Sequence, residues 1–381
     1  MGSSLRMLFV AAGSPATVFA LVPLATAARN AGYDVFMAAT EEMTPVVVGA
    51  GLPAVSLTGR TMRAYMFTDD DGAELTLPAD PTERMRFGGR GFGRLASDGL
   101  ESLRALSDMW RPDVVVGGTL SFAAGLLARH LGVPYVRHAW DMGEPIDMDI
   151  GATEQLAGEL SRLGLTELPE PELWVHICPP SLLAPEAAAG EAMRFVPTGR
   201  QRLTEPWMYT RPTKPRVCVT AGSRASREQD LCLLEGLVAQ VGSLDVELVI
   251  AAPDELAPAL AEGRPHVRAG WLPLGTVLPT CDVIVHAGGG QTALTALHAG
   301  VQQLVLPNMP KLVPHSRRLT EYGAALTLLP GEDTPDAVME ACRELLSTPS
   351  YRERSQEVAA EMAALPGPAE VLKVLADLEV G

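Results

Sequence analysis

Short, continuous apolar runs alternate with helical stretches along the whole chain, and this alternation constrains the fold more than any other feature. Uninterrupted apolar runs are typical of parallel strands that helices cover on both faces. The pattern therefore predicts an α/β fold of doubly wound, Rossmann-like parallel sheets. The predicted strands are Met7–Ala12, Asp34–Ala39, Asp113–Gly117, Val133–Arg137, Arg216–Thr220, Val246–Ala251, Asp282–His286 and Gln303–Pro307.

One local pattern occurs twice and divides the chain into halves. Ala12-Gly13-Ser14 follows the first predicted strand, and Ala221-Gly222-Ser223 follows the strand that begins at Arg216. Each is a strand, a glycine turn and a helix start, the arrangement that opens a nucleotide-binding unit. We therefore predict a first domain over residues 5–200, a linker over 201–215, a second domain over 216–365 and a final helical segment over 366–381.

The charge balance excludes several classes of partner. The chain has 30 Lys and Arg against 46 Asp and Glu, a formal net charge of −16, which repels nucleic acid and anionic lipid. Its five cysteines form no C-x-x-C pair, so a reducing cytoplasm fits better than a disulfide framework. The weakly charged stretch from Met7 to Ala28 resembles a secretory signal, but Gly13-Ser14-Pro15 interrupts it and cleavage would remove the first strand.

The strongest local signal is CDVIVHAGGGQTALTALHAGVQQLVLP. A strand is predicted to end at His286, Gly288, Gly289 and Gly290 follow, and a helix starts near Thr292. Successive glycines let main-chain N–H groups converge, and a helix N-terminus adds partial positive charge, so the turn is suited to a diphosphate. His286 could add a hydrogen bond or a proton. Close packing alone is the alternative explanation of the glycines.

The same turn also matches a dinucleotide fingerprint, Gly288-x-Gly290-x-x-Ala293. The acidic ribose ligand expected about 20 residues further on is missing, since Asn308 stands there and the next acid is Glu321. An NAD-dependent oxidoreductase is therefore disfavoured but open. A second match, Gly91-x-Gly93-x-x-Ala96, follows a charged stretch instead of a strand and is rejected.

A candidate general base, Asp141, ends the run Val133–Trp140 at the carboxyl edge of a predicted strand, where ligands of doubly wound sheets bind. A helix cap or a loop carboxylate is the alternative. Asp69-Asp70-Asp71 is interpreted as a solvated loop, because three adjacent carboxylates cannot all face one metal ion.

Aromatic and sulfur-containing side chains suggest two apolar contact surfaces. Trp271, in Gly270–Leu274, could border a nucleobase or belong to the core. A segment without clear periodicity contains side chains that could together form an adaptable surface for an aromatic ligand. They are Met62, Tyr65, Met66, Phe67, Phe87 and Phe92.

The chain resembles, over its whole length, the bacterial inverting glycosyltransferases of natural-product pathways, which have the GT-B fold of two Rossmann-like domains facing across a cleft. The opening MLFVAAGSPATVFALVPLATAARNAGYDV, the GWLPL segment and HAGGGQTALTALHAGVQQLVLP carry the resemblance. AGSPATVFAL, EPWMYTR, CPPSL and YGAALTLLPGED are most similar to the angucycline olivosyltransferases of the landomycin and urdamycin type.

The resemblance implies a division of labour between the domains. The second domain would bind a dTDP-sugar, the first would hold the acceptor against the aromatic surface together with Trp140, and the final helix would pack back on the first domain. No cofactor beyond the nucleotide sugar is implied, and a monomer and a homodimer both remain open. The implied donor-site residues are Ser223, Arg224, Trp271, Leu272, Pro273, Leu274, His286, Gly288, Gly289, Gly290 and Thr292.

Two departures from the wider family refine the implied chemistry. Many relatives have a catalytic histidine where this chain has Ser14, so the catalytic site is predicted to contain Ser14 with Asp141 as the base. Glucosyltransferases grip sugar hydroxyls with an acidic–Gln pair where this chain has Asn308-Met309-Pro310-Lys311. Since a polar pair facing an absent hydroxyl would cost about 1–3 kcal/mol, its loss fits a deoxygenated donor such as dTDP-D-olivose.

The resemblance thus implies an inverting, metal-independent transfer of D-olivose to a phenolic angucycline-type polyketide. The segment SLTGRTMRAYMFTDD, residues 56–70, departs from the pattern expected of carbon-glycosylating relatives and favours an oxygen-linked product. A C-glycosyltransferase and a non-catalytic nucleotide-sugar-binding helper are the remaining alternatives.

Overall fold

The structure, a computed structural model, describes residues 4–69, 72–143, 146–222, 226, 231–264 and 267–378. Within these ranges the strands are β1 Arg6–Val10, β2 Asp34–Ala39, β3 Ala54–Ser56, β4 Val114–Gly118, β5 Tyr135–His138, β6 Leu173–His176, β7 Glu191–Ala192, β8 Arg216–Thr220, β9 Glu247–Ala251, β10 Arg268–Gly270, β11 Val283–His286, β12 Gln302–Val305 and β13 Ala325–Thr327. The helices are α1 Pro15–Asn30, α2 Thr44–Gly49, α3 Met62–Phe67, α4 Pro81–Met109, α5 Phe122–Leu131, α6 Ile146–Gln155, α7 Ala157–Arg162, α8 Pro206–Tyr209, α9 Leu231–Val241, α10 Ala257–Ala261, α11 Leu274–Val277, α12 Gly290–His298, α13 Val313–Tyr322, α14 Pro335–Ser347, α15 Pro349–Ala364 and α16 Pro368–Ala376.

The strands form two separate parallel sheets. The first has seven strands in the order β3-β2-β1-β4-β5-β6-β7, and the second has six in the order β10-β9-β8-β11-β12-β13. The strand order reverses beside β1 in one sheet and beside β8 in the other, and such switch points place ligands at the carboxyl ends of the strands. The predicted fold class, two Rossmann-like domains of the GT-B type, is confirmed.

The last helix packs against the first domain. Val371, Leu372 and Leu375 of α16 are buried in one apolar core with Leu21 and Ala25 of α1. The chain therefore returns to the first domain after completing the second sheet. No helix in the described part of the chain is long and apolar enough to cross a bilayer.

The linker is bound to the second domain and contains a short helix. Two guanidinium groups contact the ring of Trp207 in α8, with the Cζ of Arg268 4.7 Å and that of Arg216 5.8 Å from the ring centroid. Arg216 is almost fully buried and also donates to Glu247 at 2.8 Å. These contacts anchor the middle of the linker to β8 and β10.

The segment without clear periodicity, residues 57–93, contains α3 and ends in the first part of the long helix α4. Its last glycines, from Gly88 to Gly93, lie inside α4, where they allow other backbones to come close. A Cβ built on Gly89 would overlap the carbonyl oxygen of Met148, and one built on Gly151 of α6 would overlap that of Arg86. The two helices thus touch backbone to backbone, and periodicity missed α4 because glycines occupy its buried face.

We expect Gly89→Ala and Gly151→Ala each to lower the free energy of unfolding by about 1–3 kcal/mol, because the added methyl forces α4 and α6 apart. Urea midpoints measure the loss. Gly158→Ala in α7 is the control, since its Cβ would meet no described atom within 4 Å. Unchanged midpoints for Gly89→Ala would contradict the close approach.

Candidate active site

A glycine turn connects the central strand of the second sheet to a helix. β11 ends at His286, Gly289 is the N-cap residue of α12, and the helix begins at Gly290. Gly288 has a φ of +81°, a left-handed conformation that favours glycine. The first N–H groups of a helix have no partner within it, so the turn presents main-chain donors and partial positive charge to an anion.

His286 supports this turn from inside the protein. Its side chain is 2% exposed, Nδ1 accepts the N–H of Gly288 at 3.1 Å, and Nε2 donates to Oε1 of Gln303 at 2.8 Å. Burial lowers the pKa of His286 to about 4, so the ring is neutral near pH 7. Both ring nitrogens already form hydrogen bonds within the protein. In this conformation His286 therefore cannot give a diphosphate the hydrogen bond or the proton that the sequence predicts.

A second histidine supports the turn from the opposite side. His315 of α13 is buried, and its Nε2 donates to the carbonyl of Gly288 at 2.7 Å. Burial lowers the pKa of His315, while the negative charge of Asp141 acts in the opposite direction. Sequence reasoning missed His315, because it lies in a polar helix outside any motif.

Asp141 of the first domain meets the glycine turn of the second. A Cβ built on Gly290 would overlap the Cβ of Asp141 and lie 2.7 Å from its Cγ. Oδ1 of Asp141 accepts the N–H of Gly143 at 2.7 Å, which folds the loop back on itself. A carboxylate is favourable beside a helix N-terminus. The predicted base and the predicted anion-binding turn are therefore in contact.

Two side chains of the second domain hold the Asp141 loop. The amide of Gln291 donates to the carbonyl of Trp140. Arg318 donates to the carbonyl of Met142 at 2.7 Å and to that of Leu182 at 3.1 Å. These bonds span the domain interface on both sides of Asp141, so they fix its position when the domains are together.

The first domain holds the same loop through buried polar groups. The hydroxyl of Thr119 accepts the N–H of Trp140 at 3.1 Å and donates to the carbonyl of His138 at 3.3 Å. Arg137 donates to the carbonyl of Thr119 at 3.0 Å and forms two bonds to Asp149 at 2.7 and 2.9 Å. The loop after β5 is thus tied to β4 and α6.

An apolar cluster lies beside Asp141 at the carboxyl ends of β1 and β5. Met62, Phe92 and Trp140 pack there against Ala12. The rings of Phe92 and Trp140 meet edge to face with centroids 5.9 Å apart. Met62 packs so closely on the loop after β1 that a Cβ on Gly13 would lie 2.7 Å from its own Cβ.

Ser14 lies next in this loop as the N-cap residue of α1. The cap contacts are made by Thr17, whose hydroxyl donates to the Ser14 carbonyl at 2.8 Å and accepts the Ser14 N–H at 3.4 Å. The hydroxyl of Ser14 makes no cap hydrogen bond and is half-buried.

Tyr65 belongs to the same apolar cluster as Met62, Phe92 and Trp140 but is fully buried in it. Tyr65 is 0% exposed, and its hydroxyl donates to Oδ2 of Asp98 at 2.7 Å, so it supports the cluster from behind and does not line a surface. Burial raises its pKa to about 12. Phe87 is buried as well, whereas Met66 and Phe67 are half-buried. The Met66 side chain packs against Gly91 of α4.

The predicted nucleobase segment lies at the start of α11. Trp271 is half-buried, Leu272 and Pro273 are buried, and Leu274 is the first residue of the helix. Thr292 is half-buried in the first turn of α12. The predicted donor residues Ser223 and Arg224, like Asp70 and Asp71, lie outside the described residues.

The position after β12, where glucosyltransferases have an acidic–Gln pair, has other residues in this chain. They are Asn308, Met309 and Pro310, and all three are exposed. Among the described residues there is no group of three His, Cys, Asp or Glu side chains that could hold a metal ion.

The amino-acid sequence matches two protein-family models that together span most of the chain. Residues 26–222 match the N-terminal domain, and residues 235–378 the C-terminal domain, of the erythromycin biosynthesis protein CIII-like family.

Two relatives match nearly the whole chain. An L-demethylnoviosyl transferase of Streptomyces niveus is 33% identical over 98% of this chain and 98% of its own length. The aclacinomycin-T 2-deoxy-L-fucose transferase of Streptomyces galilaeus is 28% identical over 98% of this chain and 96% of its own.

Solved structures of two glycosyltransferases have the same fold. SsfS6 of Streptomyces sp. SF2575, in complex with thymidine diphosphate, is 34% identical and superposes with a TM-score of 0.86, covering 98% of this chain and 99% of that one. The spinosyn rhamnosyltransferase SpnG, in complex with spinosyn aglycone, is 27% identical with a TM-score of 0.86, covering 98% and 100%.

We expect Gly290→Ala to prevent the domains from meeting as they do here, because the new methyl takes the place of the Asp141 side chain. The radius of gyration from small-angle scattering should rise, and the free energy of unfolding should fall by about 1–3 kcal/mol. Gly289→Ala is the matched control in the same turn, since its Cβ would meet Thr292 Oγ1 at an ordinary 3.8 Å. Equal scattering from the two variants would contradict the contact.

Proposed function

The chain belongs to the erythromycin biosynthesis protein CIII-like family of GT-B glycosyltransferases, and from this premise we propose that it transfers D-olivose from dTDP-olivose to a phenol of an angucycline-type polyketide. Its homologues are deoxysugar transferases of antibiotic biosynthesis, so glycosyl transfer is the activity of the chain and the oxidoreductase and helper alternatives are rejected. What we propose is the identity of the sugar, the identity of the acceptor and the type of glycosidic linkage.

One observation carries the mechanism: the Asp141 carboxylate of the first domain faces the glycine turn of the second. Acceptor and donor of a GT-B enzyme bind on opposite sides of that interface. A carboxylate at this point is next to both reacting groups, and the Phe92–Trp140 pair beside it offers an apolar face to an aromatic acceptor.

The proposed reaction is a single displacement with inversion. The phenolic oxygen forms a bond to the anomeric carbon while the bond from that carbon to the diphosphate breaks, and the phenolic proton passes to Asp141. A phenol ordinarily titrates near 10 and a carboxyl group near 4, so transfer before attack would be uphill by about 8 kcal/mol. The proton therefore moves as the new bond forms.

The leaving diphosphate is received by main-chain N–H groups at the start of α12, by Thr292 and by Ser223 and Arg224, with the thymine against Trp271–Leu274. Preorganised donors at the point where charge develops are an effective form of catalysis and need no bound metal. His286 and His315 keep the turn in shape as neutral rings. The negative diphosphate and the Asp141 carboxylate compete for this helix N-terminus, so we expect the carboxylate to leave Gly290 when the donor binds, while Gln291 and Arg318 still hold its loop.

Two features support a deoxygenated sugar on the donor. The exposed Asn308, Met309 and Pro310 provide no acidic–Gln pair for sugar hydroxyls. The match to a 2-deoxy-L-fucose transferase extends over 98% of this chain. Olivose itself, like the angucycline acceptor, rests on the motifs shared with the angucycline olivosyltransferases.

We expect Asp141→Asn to lower kcat by about 10²–10⁴-fold, because the amide keeps the shape of the side chain and cannot take the proton. Single-turnover assays with dTDP-olivose and an angucyclinone measure the effect, and thymidine diphosphate should still bind. Asp108→Asn, an exposed carboxylate on α4, is the control. A variant that keeps more than about a tenth of the wild-type rate would refute the assignment.

The product of the same assay shows whether the glycosidic linkage is to oxygen or to carbon. We expect an oxygen-linked olivoside, because residues 56–70 depart from the carbon-glycosylating pattern and include Met62, which packs beside the acceptor cluster. Mass spectrometry with NMR of the anomeric carbon distinguishes the two linkages. Exchanging residues 56–70 for those of a carbon-glycosylating relative should shift the product ratio, and an unchanged ratio would remove this segment from the explanation.

A further inference from the structure

We infer that Arg202, in the interdomain linker, is a positioning residue for the nucleobase of the donor, which makes the linker part of the donor site. This inference rests on the proposed function, because it assigns a task to Trp271 as the residue that borders the base.

All three polar groups of Trp271 are held by named partners. Its N–H donates to Oδ1 of Asp254 at 2.9 Å, and its indole N–H donates to the carbonyl of Arg200 at 3.0 Å. Its carbonyl accepts from Arg202 at 2.7 Å. One of the three partners, Arg202, belongs to the linker and another, Arg200, directly precedes it, although Trp271 lies about 70 residues away along the chain. The ring orientation therefore depends on the linker.

Arg202 and Asp254 bind the two main-chain polar groups of the same residue, Trp271. They form an ion pair at 3.6 Å, and Gly270, directly before Trp271, has a φ of +142°. A Cβ on Gly270 would lie 3.3 Å from Asp254 Oδ1 and 3.7 Å from Arg202 Nη1. The chain thus turns at Gly270 into a clamp that Arg202 closes.

Other contacts tie the stretch just before the linker to the same segment. The Cζ of Arg200 lies 5.8 Å from the ring centroid of Trp271, and Pro197 packs against Gly275 of α11. Phe195, just before the linker, is buried in the core that α1 and α16 share. The stretch that leaves the first domain is therefore the stretch that holds Trp271.

The clamp is exposed, which separates a positioning role from a structural one. The side chains of Arg202 and Asp254 are 40% and 55% exposed. Surface ion pairs contribute little to stability, so removing the guanidinium should leave the fold unchanged. What it removes is the only charged donor described here for the Trp271 carbonyl, and with it the fixed placement of the ring.

The test uses Arg202→Gln and Arg202→Lys in the full-length enzyme. We expect Arg202→Gln to raise the dissociation constant of thymidine diphosphate and the KM for the dTDP-sugar by about 5–20-fold, with kcat and the urea midpoint unchanged. Lys retains a charged donor and should restore most of the affinity. Affinity for inorganic pyrophosphate, which has no base, should not change.

Lys214→Gln is the matched control, because Lys214 is a linker cation that pairs with Asp245. Unchanged thymidine diphosphate affinity in Arg202→Gln would overturn the inference, as would an equal loss for pyrophosphate or a parallel fall in kcat and urea midpoint. Failure of the wild-type enzyme to bind thymidine diphosphate would instead refute the proposed donor.

Discussion

The approach of the Asp141 loop to the N-terminus of α12 is the constraint on which the site depends. It lies between two domains that have their own sheets and share one apolar cluster, in which Leu294 and Leu297 of α12 lie with residues of the first domain. Gln291 and Arg318 fix the Asp141 loop from the second domain, and Thr119 fixes it from the first. The reacting groups are therefore assembled only when both halves are together, which also keeps water away from an activated sugar.

Neutral buried groups support this contact. His286 and His315 hold the glycine turn by hydrogen bonds to Gly288 on either side, and burial lowers the pKa of both rings. A cationic ring here would add a charge attraction that holds the Asp141 carboxylate at the turn. With neutral rings, the turn offers an anion, such as the diphosphate of the proposed donor, only main-chain N–H groups and the helix dipole.

The strands were predictable where they are long and fully apolar. All eight predicted strands exist within a few residues of the expected bounds, including Asp34–Ala39 and Arg216–Thr220 exactly as predicted. The missed strands β3, β6, β7, β10 and β13 have two to four residues and lie toward the outside of the sheets, where little apolar surface marks them. Helix α4 was missed because packing against α6 selects glycines, which propensity assigns to loops.

The sequence by itself determined the two-sheet architecture, the glycine turn and the edge of the sheet where Asp141 lies, because periodicity and turn chemistry are local properties. Tertiary structure decided which of these residues meet. In the folded protein Asp141 lies against Gly290, and Arg202 donates to the carbonyl of Trp271. Tyr65 is buried, and both ring nitrogens of His286 form hydrogen bonds. Except for the bond between His286 and Gly288, those contacts join residues far apart in the chain, and their geometry follows from how the two sheets and the linker pack.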